Sequence, residues 1–206
     1  MIAGLILAAG LSKRFGSDKR QALGPDGRSL LAACVATFAE AFDRLGVVIP
    51  PGDDFGQWIC RRSRAAHIVN PHPSQGQGRS LACGAAWLAA QPDVEGVVIG
   101  LADMPMVNAS TVQQLRDLLL RTGRPVVATY HGELGHPRGL PREWFGPLTG
   151  LTGDAGARDL VDWSRAESLE SDDAGVVSDV DTPEQLRRLY NLHGGRASAR
   201  SFAHHR

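Results

Sequence analysis

Short apolar runs separated by glycine- and proline-rich punctuation dominate the first two thirds of the chain. The run at residues 5–9 breaks at Gly10, which predicts a buried strand ending in a loop. Comparable runs at Leu45–Ile49, 66–69, 94–101 and 125–130 predict further strands, the second stopped by Pro50 and Pro51. Between them, apolar residues recur at helical spacing over 29–42, with Ser29 placed as an N-cap, and then over 80–90 and 110–121. A weaker helical pattern covers 53–63, where Arg61, Arg62 and Arg64 read as a solvated face. Strands alternating with helices predict an α/β fold with a mostly parallel central sheet and helices on both faces. Past residue 130 the pattern loosens. Residues 135–141 read as a strand bounded by loops, 153–158 lead into a short helix ending near Trp163, and 176–184 read as a strand entering a helix. Thr182 suits the N-cap of that helix and Pro183 its first position, and the helix is expected to run to about Leu192. Residues 1–193 form the expected domain, and the small, basic stretch 194–206, including His204 and His205, reads as a disordered tail.

Composition narrows the classes of function. Lys plus Arg and Asp plus Glu number 22 each, so no global field draws the chain to nucleic acid or an acidic membrane. Any anion binding falls to local basic loops. Cys34, Cys60 and Cys83 lack metal-site spacing, and an odd count without a secretion signal predicts reduced thiols in a cytoplasmic protein. Met1 runs straight into a core strand, which leaves no room for a targeting peptide, and no apolar stretch approaches a membrane span.

Candidate chemistry starts in the first loop. Gly10 and Gly16 can adopt backbone angles closed to other residues, Ser12 adds a hydroxyl donor, and Arg14 and Lys19 add positive charge. These are the parts of a triphosphate cradle, and equally of a glycine-rich turn with solvated cations. A Walker loop is excluded because Gly16 is followed by Ser17 and Asp18, and the dinucleotide fingerprint because Gly10 is followed by Leu11 and Ser12. Ligands of parallel sheets bind outside the carboxyl ends of the strands, so Gly10, Gly78 and Asp103 are expected to line one crevice. Asp103 and Asp181, each read as closing a strand, would give Mg2+ two hard oxygen ligands beside the phosphates. Asp181 also fits a plain helix start in Asp181-Thr182-Pro183-Glu184, and Asp103 a structural carboxylate.

Taken in order, Leu7-Ala8-Ala9-Gly10-Leu11-Ser12-Lys13-Arg14-Phe15-Gly16 with Lys19, Asn70-Pro71, Gly76-Gln77-Gly78-Arg79-Ser80-Leu81 with Gly84, Leu101-Ala102-Asp103-Met104-Pro105, Gly135-His136-Pro137, Gly153-Asp154-Ala155-Gly156-Ala157-Arg158 and Asp181-Thr182-Pro183-Glu184 resemble the molybdopterin nucleotidyltransferases, most of all the molybdenum cofactor cytidylyltransferases. The resemblance implies a Rossmann-like nucleotidyltransferase fold and Mg2+-dependent transfer of a nucleoside monophosphate from an NTP to the terminal phosphate of molybdopterin. It implies that Gly10, Ser12, Arg14 and Lys19 bind the triphosphate, with Arg14, Lys19 and Asp103 catalytic. It further implies that Ala8, Ala9, Gly78 and Ser80 contact the nucleotide, and that Asp103 and Asp181 bind the metal. Ala8-Ala9-Gly10 favours CTP, where guanylyl-transferring members tend to read Leu-Ala-Gly-Gly. Two features depart from the pattern: Gln21-Ala22 replaces an apolar pair after Lys19, and Arg138 replaces an apolar residue after Gly135-His136-Pro137. Other acceptors, such as a sugar or polyol phosphate, remain open. So does a non-catalytic carrier delivering the pterin cofactor to a molybdenum hydroxylase.

Overall fold

The structure, a computed structural model, describes residues 1–12, 14–153, 156–157 and 160–199, the side chains as far as residue 191. Among these, strands β1 (Ile2–Leu7), β2 (Leu45–Ile49), β3 (Ala66–Val69), β4 (Gly96–Leu101), β5 (Val126–Tyr130), β6 (Glu133–Pro141) and β7 (Glu167–Glu170) form one sheet in the order β3-β2-β1-β4-β6-β5-β7. The first four are parallel to one another, β5 is parallel to β7, and β6 runs antiparallel to β4 and β5. The helices are α1 (Leu30–Ala39), α2 (Asp54–Ser63), α3 (Gln77–Ala89), α4 (Ala109–Thr122), α5 (Phe145–Thr149) and α6 (Pro183–Ala199). Among the described residues no helix is long and apolar enough to cross a membrane.

Both faces of the central strands are buried, which is why they read as unbroken apolar runs. Leu5, Val48, Val97 and Val127 pack with Leu81 and Leu88 of α3 and Phe145 and Leu148 of α5. Their neighbours Ile6, Val47, Val98 and Val126 pack with Leu31 and Val35 of α1, Ile59 of α2 and Leu115 of α4. A third, smaller cluster of Leu30, Val180 and Leu186, flanked by Phe15, Leu189 and Tyr190, ties α6 to the first loop and to α1.

Local chemistry sets the helix starts. Ser29 accepts from the Ala32 amide at 3.2 Å and Asp53 from the Gly56 amide at 2.9 Å, capping α1 and α2. Thr182 accepts from the Gln185 amide at 3.2 Å, as expected of the α6 N-cap.

Several expectations are corrected. The first strand ends at Leu7 rather than Ala9, so Ala8 and Ala9 belong to the loop. The second glycine-rich segment enters α3 three residues early, at Gln77, because Gly76, with φ 87°, turns the chain directly into the helix. No strand precedes Asp181: Ala174–Val177 is a 3-10 turn, and the Val180 amide donates to the Asp103 carbonyl at 2.9 Å. The helix expected to end near Trp163 is not formed over residues 160–162, and Trp163–Arg165 is a 3-10 turn. The last helix continues past Leu192 to Ala199, while residues 200–206 of the expected tail lie outside the described residues. So do Lys13, Asp154, Ala155, Arg158 and Asp159.

The chain proceeds from β1 to β2 and β3 on one side, then crosses back to place β4 on the other side of β1. That reversal opens a crevice at the carboxyl ends of β1 and β4. Leu7 pairs with Val48 and with Leu101, so the loops after β1 and β4 leave the sheet at one level.

Candidate functional site

A cleft of about 490 Å3 lies at that crevice. Its walls come from the ends of β1 and β4, the first loop, the segment entering α3, and Asp181 from the start of the last helix. Ala8, Ala9, Gly10, Ser12, Arg14, Lys19, Ser80, Asp103 and Asp181 all line it. Gly78 does not. It is buried in the first turn of α3, and its amide donates to the Gly153 carbonyl at 3.0 Å.

The first loop folds tightly around Ser12. Ser12 itself takes the left-handed conformation, at φ 49°, along with Gly16 at φ 79°, whereas Gly10 does not. The Ser12 carbonyl accepts from the Phe15 amide at 3.0 Å and its hydroxyl from the Lys19 amide at 3.3 Å. The loop's main turn thus closes on the 3-10 turn Lys19–Gln21, which Asp18 caps.

Lys19 is the hub of the charged groups. Its ammonium donates to Asp103 Oδ2 at 2.8 Å, to the Val180 carbonyl at 3.0 Å and to Asp181 Oδ1 at 3.2 Å. Arg14, whose side chain is 76% exposed, reaches Asp181 Oδ2 at 2.8 Å. Two carboxylates separated by 78 residues (181 − 103) therefore lie within reach of one ammonium. Asp103 Oδ1 is buried with no hydrogen-bond partner. A lone carboxylate oxygen shut off from water is costly unless a further cation takes it. Two carboxylates lining a phosphate-sized cleft, one of them with an unpaired oxygen, fit a hard divalent cation such as Mg2+. Among the described residues no cluster of three or more His, Cys, Asp or Glu could hold a metal, so a closed transition-metal site is not the match.

Sequence reasoning missed Arg20. Only 7% exposed, it donates to both oxygens of Asp18 at 2.8 and 2.7 Å, to the Ala8 carbonyl at 3.1 Å, and to Asp53. Burial works against its charge, but the hydrogen bonds it donates to Asp18 and Asp53 and their negative charges outweigh it and raise the guanidinium's pKa. In the run Asp18-Lys19-Arg20 nothing in the sequence marks it as buried, and its partner Asp53 lies on another element. Asn70, in the Asn70-Pro71 pair, carries no evident role in the sequence. Fully buried, it donates to Ser80 Oγ at 3.0 Å and accepts from the His72 amide at 2.9 Å, which holds the segment entering α3.

A second cavity, of about 320 Å3, adjoins the first through Leu7, Gln77 and Leu101 and is walled by Leu81, Ile99, His136, Arg138, Gly156 and Ala157. The Arg138 guanidinium lies 4.8 Å from the centre of the Trp163 ring. His136 Nδ1 is buried without a partner. Burial, the nearby Arg138 charge and a partly opposing hydrogen bond to Ile99 bring its pKa down to about 3, so the ring is neutral.

Comparison with known proteins agrees with this geometry. Residues 4–173 match the model of the MobA-like NTP transferase domain. The chain is 27% identical over 192 residues to a "Probable molybdenum cofactor guanylyltransferase" of Mycobacterium avium, covering 91% of this chain and 94% of the relative. It is 30% identical over 203 residues to a "Nicotine blue oxidoreductase" of Paenarthrobacter nicotinovorans, covering 91% and 96%. Among solved structures, Rv0371c of Mycobacterium tuberculosis superposes with a TM-score of 0.78 at 28% identity, covering 93% of this chain and 98% of that one. The same protein was also solved as a complex with manganese, with a TM-score of 0.76 at 28% identity, covering 92% and 98%.

Proposed function

Because the chain belongs to the MobA-like NTP transferase family and is a nucleotidyltransferase, we propose that it transfers CMP from CTP to the terminal phosphate of the molybdenum cofactor. One observation carries the transfer chemistry: a single ammonium, Lys19, joins Asp103 and Asp181 at the foot of a cleft whose other wall is the Ala8–Ser12 loop. An oxygen of the acceptor's phosphate attacks the α-phosphorus of CTP, a new P–O bond forms, and the bond to the β-phosphate oxygen breaks with loss of pyrophosphate. Such a transfer asks the protein mainly for positioning and charge neutralisation.

Asp103 and Asp181 would hold the Mg2+, which when bound draws charge from the phosphates; the manganese complex of the Rv0371c relative supports a divalent cation here. Lys19 and Arg14 then turn from the carboxylates to the triphosphate. Ala8, Ala9, Gly10 and Ser12 orient the nucleotide along the first loop, and Ser80, whose oxygen already accepts from Asn70, retains its hydroxyl proton to donate. Gly78, whose amide donates to the Gly153 carbonyl, lies behind the cleft lining at the start of α3. The adjoining cavity, with its apolar walls and the cation of Arg138, accommodates the acceptor.

The choice of CTP rests on the resemblance at Ala8-Ala9-Gly10: the Ala9 methyl narrows the wall where the base approaches. One methyl discriminates by only about 1–3 kcal/mol, so hydrogen bonds to the base edge supply the rest. The oxidoreductase name of one relative would call for hydride chemistry, for which the missing dinucleotide fingerprint and the Lys19–Asp103–Asp181 set offer no support.

The test is mass spectrometry of the product formed from mixed NTPs, Mg2+ and molybdenum cofactor. A cytidylylated cofactor with stoichiometric pyrophosphate is expected. A guanylylated product would reassign the base, transfer only to a sugar or polyol phosphate would reassign the acceptor, and binding without turnover would leave a carrier.

A further inference from the structure

We infer that Arg20 is a positioning residue for nucleotidyl transfer, acting through Lys19 and the first loop; this rests on the function proposed above. Arg20 and Lys19 are consecutive on one 3-10 turn, and their side chains diverge. Lys19 reaches across the cleft to Asp103 and Asp181, while Arg20 turns inward beneath it. The guanidinium plane makes three attachments. Its Nε and Nη2 edge grips Asp18, the residue that caps the turn. Its Nη1 donates to the carbonyl of Ala8, the first loop residue after β1. The same Nη1 donates to Asp53, which caps α2 on the neighbouring strand's side of the sheet. One side chain thus ties the lysine turn, the start of the loop and a rigid helix end to a common origin.

A direct phosphate role fits less well. Arg20 is paired with two carboxylates, so the group of three has a net negative charge, and four donations are already committed. A planar fork makes these divergent bonds at fixed angles; a lysine ammonium, a compact point charge on a flexible stem, cannot. Lys19 works only when its ammonium meets the developing charge, and small misplacements of such groups cost large factors in rate.

Arg20→Lys keeps the charge opposite Asp18 and Asp53 and so is the informative variant. Its kcat for pyrophosphate release should fall at least about tenfold, with a smaller change in KM for the nucleotide and a melting temperature within a few degrees of the unmodified protein. The decisive measurement is a double-mutant cycle with Lys19→Ala. If Arg20 acts through Lys19, adding Arg20→Lys to Lys19→Ala lowers kcat less than about twofold. Equal losses in both backgrounds, or an unchanged kcat in Arg20→Lys alone, would overturn the inference. Should Arg20→Lys fail to fold, Asp18→Asn, which leaves the Asp53 pairing intact, replaces it in the same cycle. Should the unmodified protein release no pyrophosphate from any NTP, the proposed function fails by itself. The cycle is then run on binding of inorganic triphosphate by calorimetry, where coupling between the two positions supports the role of Arg20 and additivity refutes it.

Discussion

At the scale of single residues, the site is a neutral set of charges waiting for a larger one. Asp103 and Asp181 are balanced by Lys19 and Arg14, and Asp103 Oδ1 is buried without a partner. In the proposed reaction a triphosphate would draw the two cations away and leave the carboxylates to a metal. It follows that metal and Lys19 compete for the same oxygens when no nucleotide is present. Lys19→Met, which keeps the length and removes the charge, should therefore bind Mn2+ alone at least about tenfold more tightly than the unmodified protein, while its turnover collapses. Calorimetry with Mn2+ checks it, and unchanged or weaker binding would contradict the competition. Asp103→Asn preserves shape and removes charge, so turnover at saturating Mg2+ should drop at least roughly a hundredfold with the melting temperature nearly unchanged. Asp103 and Asp181 were legible in the chain because one follows an apolar strand and the other precedes a helix, Arg14 and Lys19 because they are the cations of a glycine-containing loop. Their neutralisation by one another was not, since it joins positions 14, 19, 103 and 181. Arg20 was illegible for the same reason: a buried arginine and a solvated one look alike until the partner across the fold is known.

At the scale of elements, strands β1, β2 and β4 could be read because both of their faces are buried and apolar, whereas β3, with His67 and Val69 exposed, could be read from a short run stopped before Pro71. The strand β7 could not: Glu167-Ser168-Leu169-Glu170 sits at the sheet edge and carries one apolar residue, too few for a period. Val176 and Val177 misled in the opposite direction. They look like a strand but form a 3-10 turn pressed between β6 and the loop before α4, because glycines on both sides admit close backbone approach. A Cβ at Gly135 would fall inside contact with the Val176 carbonyl, and one at Gly175 inside contact with the Met106 carbonyl. This turn leads to Val180 and Asp181, whose distance from Asp103 it governs. Gly135→Ala should therefore destabilise the fold by about 1–3 kcal/mol and lower the turnover of the molecules that stay folded. Gly146→Ala, where a Cβ meets open space, should stay within about 0.5 kcal/mol. Melting curves combined with pyrophosphate release per folded molecule check the pair; equal behaviour of the two variants would remove the turn from the account.

At the scale of the whole molecule, two large clusters back the sheet while the third, around Leu30, Val180 and Leu186, holds the chain's last helix over its first loop. The clusters lose stability differently. His136 lies in the sheet interior, on β6, with burial foremost and Arg138 next pulling its pKa to about 3 from 6.5. The unfolded chain takes up that proton near pH 6.5 and the folded one resists it, so the contribution is complete above pH 6.5. It is lost as pH falls toward 3, by at most about 1.4 kcal/mol per pH unit. Urea unfolding between pH 7 and 4.5 should show that slope, and His136→Gln should flatten it; an identical slope in the variant would place the acid sensitivity elsewhere.

The third cluster predicts something separate from global stability. Leu186, Leu189 and Tyr190 rest on a few apolar neighbours, Leu30, Phe15 and Ala22, rather than on the sheet. Local opening there breaks few buried contacts, whereas opening β1 or β4 breaks both main clusters. Asp181 stands at the root of this helix and Lys19 opposite it, so a nucleotide with its metal would join the two sides of this small contact. Amides of α6 should exchange with deuterium well before those of β1, β2 and β4 in the free protein. CTP with Mg2+ should slow exchange in α6 and in residues 14–22 far more than in the sheet. Mass-resolved hydrogen exchange with and without nucleotide measures both. Uniform protection in the free protein, or slowing spread evenly through the sheet on nucleotide addition, would mean that α6 is part of the main core and not a clasp closed by the substrate.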